Sequence, residues 1–261
     1  MTSTGWLVRS APARGAALFG LAMVASLGLP PANAVTTAEV TLTCPIDGRP
    51  FKAIQVVSYF QSGMRLDFKP LGALVAPYPF PVCPENGFVM YQQNFSDGEL
   101  NVLRAVVASD EYRRLRREHT DYFMAAHLKE RMGATAYELA QTYLGASWEA
   151  ERDRPQLVDR YRELALEKCD AFVQGKRGGS RDWWTASILA AELDRLLGRF
   201  DAVETRIGTL PLAELRTNHP DLHSLLGQIR TQAQRRNSRP EAYSGPVDDE
   251  TIGRQLSRGS M

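Results

Sequence analysis

"CPIDG" at residues 44–48 is answered by "CPENG" at residues 83–87, and this pair decides how the first third of the chain is read. Both are Cys-Pro-x-x-Gly. A zinc knuckle of this shape carries a second cysteine at the fourth position, where these copies hold Asp47 and Asn86. A structural zinc site takes four ligands, mostly thiolate and imidazole, in a tetrahedron. The two motifs supply Cys44, Cys83 and the carboxylate of Asp47, whereas the neutral amide of Asn86 is a poor ligand. All four histidines (His119, His127, His219 and His223) lie further along the chain. Three outcomes stay open: a Cys44–Cys83 disulfide, a zinc held by Cys44, Asp47, Cys83 and a distant histidine, or two separate thiols. We expect the disulfide, which would close a loop of about 40 residues and stabilise it by roughly 4 kcal/mol on the chain-entropy argument.

The amino terminus supports that expectation. Arg9 and Arg14 precede the uncharged run "GAALFGLAMVASLGL" (15–29), and Ala32-Asn33-Ala34 has the small-x-small form that a signal peptidase cuts. The apolar run is short for a membrane span, which needs about 20 residues. We therefore expect export, cleavage after Ala34, and a periplasmic or extracellular mature chain with no membrane span. Disulfides persist in such compartments. The leader holds two of the 31 basic residues and no acid, so 29 basic residues face 30 acidic ones in the mature chain. That balance gives no reason to expect a nucleic-acid partner, whose phosphates call for clustered Lys and Arg.

Around the knuckles the pattern is that of strands. "AEVTLTC" (38–44) alternates at period two, "FKAIQVVSYF" (51–60) is β-branched and aromatic, and "MRLDF" (64–68) alternates again, with Ser62-Gly63 as a hairpin turn. The proline-rich stretch 70–87 reads as an extended loop and 87–95 as a further strand. From Ser96 the period becomes helical. "SDGE" (96–99) is a capping box, Ser109, Thr120 and Ser180 are further caps, and Gly133 is a stop. The expected fold is α+β: a leader over 1–34, a small antiparallel β head over 35–96, an all-α body of helical hairpins over 97–235, and a disordered tail over 236–261.

"CPIDGRPF" (44–51), "RLDFKPLG" (65–72), "PFPVCPENGFVMYQQNFS" (79–96) and "AELDRLLGRFDAV" (191–203) together resemble an uncharacterised bacterial family. Its members carry a zinc-ribbon-like head with two CPxCG knuckles, followed by a tetratricopeptide-like helical region. The resemblance covers about residues 39–215 and implies a fold but no activity. Cys44 and Cys83 carry over as knuckle positions, and Asp47 and Asn86 depart from the pattern. "LLGRFDAVETRIGTLP" (196–211) is the helical part of the match, with Gly198 at a turn and Phe200 and Val203 at packing positions.

No nucleophile elbow, phosphate loop or HExxH run is present. The histidines at 219 and 223 stand one helical turn apart, but Pro220 places the first at a helix start, and His119 and His127 read as helical surface or structural residues. Cys169, beside Leu166 and Phe172, reads as a small buried residue. The expected function is therefore a non-enzymatic scaffold of the cell envelope that binds a protein or peptide, without a cofactor. Stacked helical hairpins leave concave grooves, and Tyr137, Tyr143, Trp148, Trp183 and Trp184 are the aromatic residues we place in one. The alternative is an exported metal-dependent enzyme or zinc-binding factor built on the half-knuckles.

Overall fold

The computed structural model describes residues 35–174 and 178–245. The leader, its cleavage site and the end of the tail lie outside the described residues. The first elements are strands β1 (Thr36–Thr43) and β2 (Pro50–Ser58), paired antiparallel with Leu42 opposite Phe51 and Val40 opposite Ala53. The first knuckle makes their turn. Cys44 donates its N–H to Arg49 O at 2.9 Å and accepts from Gly48 N at 2.8 Å. Gly48 lies at φ 75°, a left-handed conformation that a Cβ would penalise. Strands β3 (Gln61–Met64) and β4 (Pro70–Gly72) form a second two-stranded sheet. Ser62-Gly63 therefore sits inside β3, and β2 has its partner upstream. Residues 87–95 are not a strand either, and meet 82 only through a Val82–Val89 bridge.

Helices follow: α1 (Asp97–Ala108), α2 (Asp110–Glu118), α3 (Asp121–Arg131), α4 (Ala136–Asp153), a 3₁₀ turn at Pro155–Leu157, α5 (Val158–Gln174), α6 (Arg181–Leu196), α7 (Phe200–Gly208), α8 (Leu212–Asn218) and α9 (Pro220–Gln234). The capping boxes are real: Glu99 N donates to Ser96 Oγ at 3.3 Å and Ser96 N to Glu99 Oε2 at 2.7 Å. Thr135 and Glu138 repeat the arrangement on α4. At α3 the expected cap fails, because Thr120 makes no capping bond there. Glu149 of α4 reaches across instead and accepts from Tyr122 N at 2.8 Å.

Each helix from α3 to α7 packs on its neighbour in the chain, and α9 folds back on α6 and α7. This makes α6 the axis of the body. Every residue from Ala186 to Leu196 is buried, and Ala186, Ser187, Ala190 and Ala191 keep its surface small enough for neighbours to close in on several sides.

Two cores divide the β elements between them. Cys44, Cys83, Phe88, Val89 and Tyr91 pack with α1, α2 and α3, whereas Met64, Leu66 and Phe68 pack with α4, α5, α6 and α9. The change of pattern at residue 96 thus marks a change of local structure and not a break in packing, and the described residues fall in one compact unit. Residues 236–245, the described part of the expected tail, are anchored on the strands. Leu66 N donates to Glu241 O and Tyr243 N to Met64 O, both at 2.9 Å, and Tyr243 is buried at 8% exposure. Low hydrophobicity across 236–245 hid one anchoring aromatic and a strand edge able to receive it.

Candidate functional site: a cleft beside the knuckles

The two knuckles fold alike. Cys83 N donates to Phe88 O at 2.9 Å and Gly87 N to Cys83 O at 2.8 Å, which repeats the Cys44 turn bond for bond. Asp47 Oδ1 accepts from Arg49 N at 3.0 Å, and Asn86 Oδ1 accepts from Phe88 N at 2.9 Å. The fourth-position residues have therefore become caps for their own turns. They also meet: Asn86 Nδ2 donates to Asp47 Oδ2 at 2.9 Å and approaches Cys44 Sγ at 3.5 Å. Cys44 and Cys83 are joined as a disulfide with their Cα atoms 5.6 Å apart, and both are buried. The alternative zinc set needs both thiolates, and each sulfur is bonded to the other. Among the described residues no group of three or more His, Cys, Asp and Glu could hold a metal.

Residues on either side of the two knuckles line a cleft of about 550 Å³ with two walls. One wall is the β1–β2 ribbon, which ends at Cys44. The other is built from residues 78–81 and 90–94, on either side of Cys83. α3 anchors this second wall, since Tyr122 Oη donates to Tyr78 O at 2.8 Å and its ring lies 4.3 Å from that of Phe80.

The lining is apolar, aromatic and amide. Val40, Leu42 and Val56 give the floor, Tyr59, Phe80 and Tyr91 give rings, and Gln92, Gln93 and Asn94 give amides. No carboxylate, imidazole, ammonium, guanidinium or thiol lines it. Burial, with Glu99 nearby, pushes the Tyr91 phenol up to about 12, and burial likewise raises that of Tyr78. These phenols can donate hydrogen bonds and offer faces, but they are not bases at neutral pH.

The second group of polar residues is sealed inside. Arg65 grips Asp67 through Nε and Nη2, and Glu151 through Nη1 and the same Nη2, at 2.9 and 2.8 Å to the glutamate. Lys69 Nζ reaches Glu151 at 2.8 Å, Trp148 Nε1 donates to Asp67 at 2.9 Å, and Arg162 stands 3.6 Å from Glu151. Burial would push Glu151 up, but Arg65 and Lys69 more than offset it and hold the carboxyl low. Deeper in, Arg195 forks onto Glu192 at 2.7 and 2.6 Å and donates to the carbonyls of Asn237 and Arg239. Burial raises Glu192 to about 7 although Arg195 pulls it down. Such paired charges join segments and leave no open valence for a substrate.

No protein-family model matches the chain, no curated protein matches it, and no solved structure matches it.

The five aromatic residues expected in a groove of the body are not in one. Tyr137, Tyr143, Trp183 and Trp184 are buried core, with Trp184 fully enclosed, and Trp148 is half-buried between the core and Asp67. Helices surround α6 on several faces, so the inner surface that an open stack would display is filled by packing. Cys169 is free, fully buried, and its thiol is pushed up by burial. His119 bonds Tyr161 at 3.0 Å and stacks on Phe123, and burial lowers the pKa of both His119 and His127. His219 and His223 sit at the start of α9.

Sequence periodicity missed the cleft, because runs of adjacent residues line it. Charge could have found it. Between residues 53 and 96 the only Asp, Glu, Lys, Arg or His are Arg65, Asp67, Lys69 and Glu85. The first three belong to the sealed network, and Glu85 pairs with Arg49 at 3.4 Å.

Proposed function

We propose that the protein is an exported, non-catalytic scaffold of the cell envelope that holds a protein or peptide partner in the cleft of its β region. The cleft lining carries this reading. It offers contact area, stacking faces and neutral hydrogen-bonding groups, and none of the acids, bases or nucleophiles that bond-making chemistry requires. The buried disulfide suits an oxidising compartment, as does the leader-like sequence that precedes Ala34.

Site-specific photocrosslinking in the native cell tests it. A benzophenone amino acid at position 93, on the cleft rim, should give a discrete adduct to a partner, whereas one at Gln232 on α9 should give none. Equal labelling from both positions, or none from the cleft, would remove the reading.

A further inference from the structure

We infer that the occupant of the cleft is an extended, uncharged peptide strand that adds to the outer edge of β2; this rests on the binding role proposed above. The lining shows where that edge lies. β1 contributes Val40 and Leu42, which share one face, while β2 contributes Ala53, Ile54, Gln55 and Val56 in unbroken succession. Side chains of successive strand residues point to opposite faces, so a cavity touching all four wraps around the strand's edge. β2 pairs with β1 alone, and among the described residues the backbone of 51–58 makes no hydrogen bond outside that ladder.

A row of alternating unpaired N–H and C=O groups is matched by another peptide backbone. The facing wall cannot supply that match itself. Pro79 and Pro81 have no N–H, Tyr78 O is taken by Tyr122, and Pro81 O accepts from Met90 N at 2.9 Å. What it presents are side chains. The amides of Gln55, Gln93 and Asn94 make no hydrogen bond among the described residues, and the rings of Phe80 and Tyr91 offer pockets for alternate side chains of the strand. Ile54 in this lining is 62% exposed, apolar surface that a docked strand would cover. Four residues of edge span about 13 Å, enough for a core of four ligand residues.

Charge sets the chemistry of that strand. With no ionised side chain in the lining, a charged ligand residue would lose its water without gaining a counter-ion, which is strongly unfavourable. The disulfide-intact full chain should be screened against a displayed library of random heptapeptides. The expected winners are rich in β-branched and aromatic residues and free of Asp, Glu, Lys and Arg. Ala53→Arg, which leaves the ribbon hydrogen bonds in place, should weaken them by about tenfold or more with circular dichroism unchanged. Methylating the peptide's backbone nitrogens one at a time should then weaken binding at every second residue only. No enrichment, or winners indifferent to Ala53→Arg, would defeat the binding reading itself. Winners sensitive to Ala53→Arg but charged, or tolerant of methylation throughout, would defeat strand addition alone. A dimer in sedimentation that Ala53→Arg dissociates would give the edge to a second copy and overturn the proposal.

Discussion

Asn86 shows how a single side chain can tie two turns together. Its oxygen satisfies Phe88 N in the buried second knuckle, and its nitrogen crosses to Asp47 in the first. Asn86→Ala leaves both partners unmet and should destabilise the protein by about 1–2 kcal/mol in urea unfolding. Asp47→Ala removes a more exposed acceptor and should cost less, about 1 kcal/mol. Glu192 makes a different prediction. Its folded pKa of about 7 lies above that of an unfolded glutamate, so between roughly pH 4.5 and 7 the folded chain binds more protons. Stability contributed by this group is therefore complete at low pH and is lost as pH rises through that window. Glu192→Gln should flatten this limb of a stability profile measured by urea unfolding across pH 4.5–7.5; an unchanged slope would contradict the assignment. Glu151, held low by Arg65 and Lys69, acts in the opposite sense and loses its contribution as pH falls below the ordinary carboxylate range.

The ribbon depends on the knuckles more than on its own ladder. A lone two-stranded hairpin is marginal in water, and this one joins the rest through the disulfide, the Asp47–Asn86 bond and Arg104, which donates to Ile46 O at 3.2 Å. Cys44→Ser with Cys83→Ser should remove roughly 4 kcal/mol, and hydrogen exchange should show β1 and β2 losing protection before α4–α6. Equal loss everywhere would mean that the ribbon and the helical core open together. Much at this scale was legible in the sequence. Caps at Ser96, Ser109 and Ser180, the Gly133 stop and the paired knuckles are local chemistry, written in adjacent residues. Strand pairing was not, because the choice between β1 and β3 as partner of β2 turns on the Gly48 conformation and on which core receives Met64. The Trp183–Trp184 pair misled for a similar reason: adjacent positions on an isolated helix cannot both face one neighbour, and only α6's place at the axis buries both. Trp184→Ala should accordingly destabilise the fold by about 3–5 kcal/mol, seen as a lower thermal midpoint.

Over the whole molecule, buried charge stitches together segments that are distant in the chain. Glu151 of α4 receives Arg65 and Lys69 from the turn between β3 and β4, and that turn holds Phe68 at φ 64°, an uncommon conformation for a residue with a side chain. Removing one partner of a buried network leaves the others uncompensated. Glu151→Ala should therefore cost roughly 3 kcal/mol, more than a surface ion pair such as Lys52–Glu39, for which a loss below about 1 kcal/mol is expected. Comparing the two variants by chemical unfolding separates a network role from general charge effects.

Arg195 also sets an order of events. It lies at the centre of the helical body, fully enclosed, and two of its acceptors are backbone carbonyls at positions 237 and 239. A chain leaving the ribosome has made all of α6 about 40 residues before those carbonyls exist, and the strand contact at Tyr243 comes later still. Until then the middle of the body holds a guanidinium with part of its hydrogen bonding unmet, which favours an open, unfinished state over closure. The order of synthesis thus leaves the closing of the interior to the segment around residues 237–243.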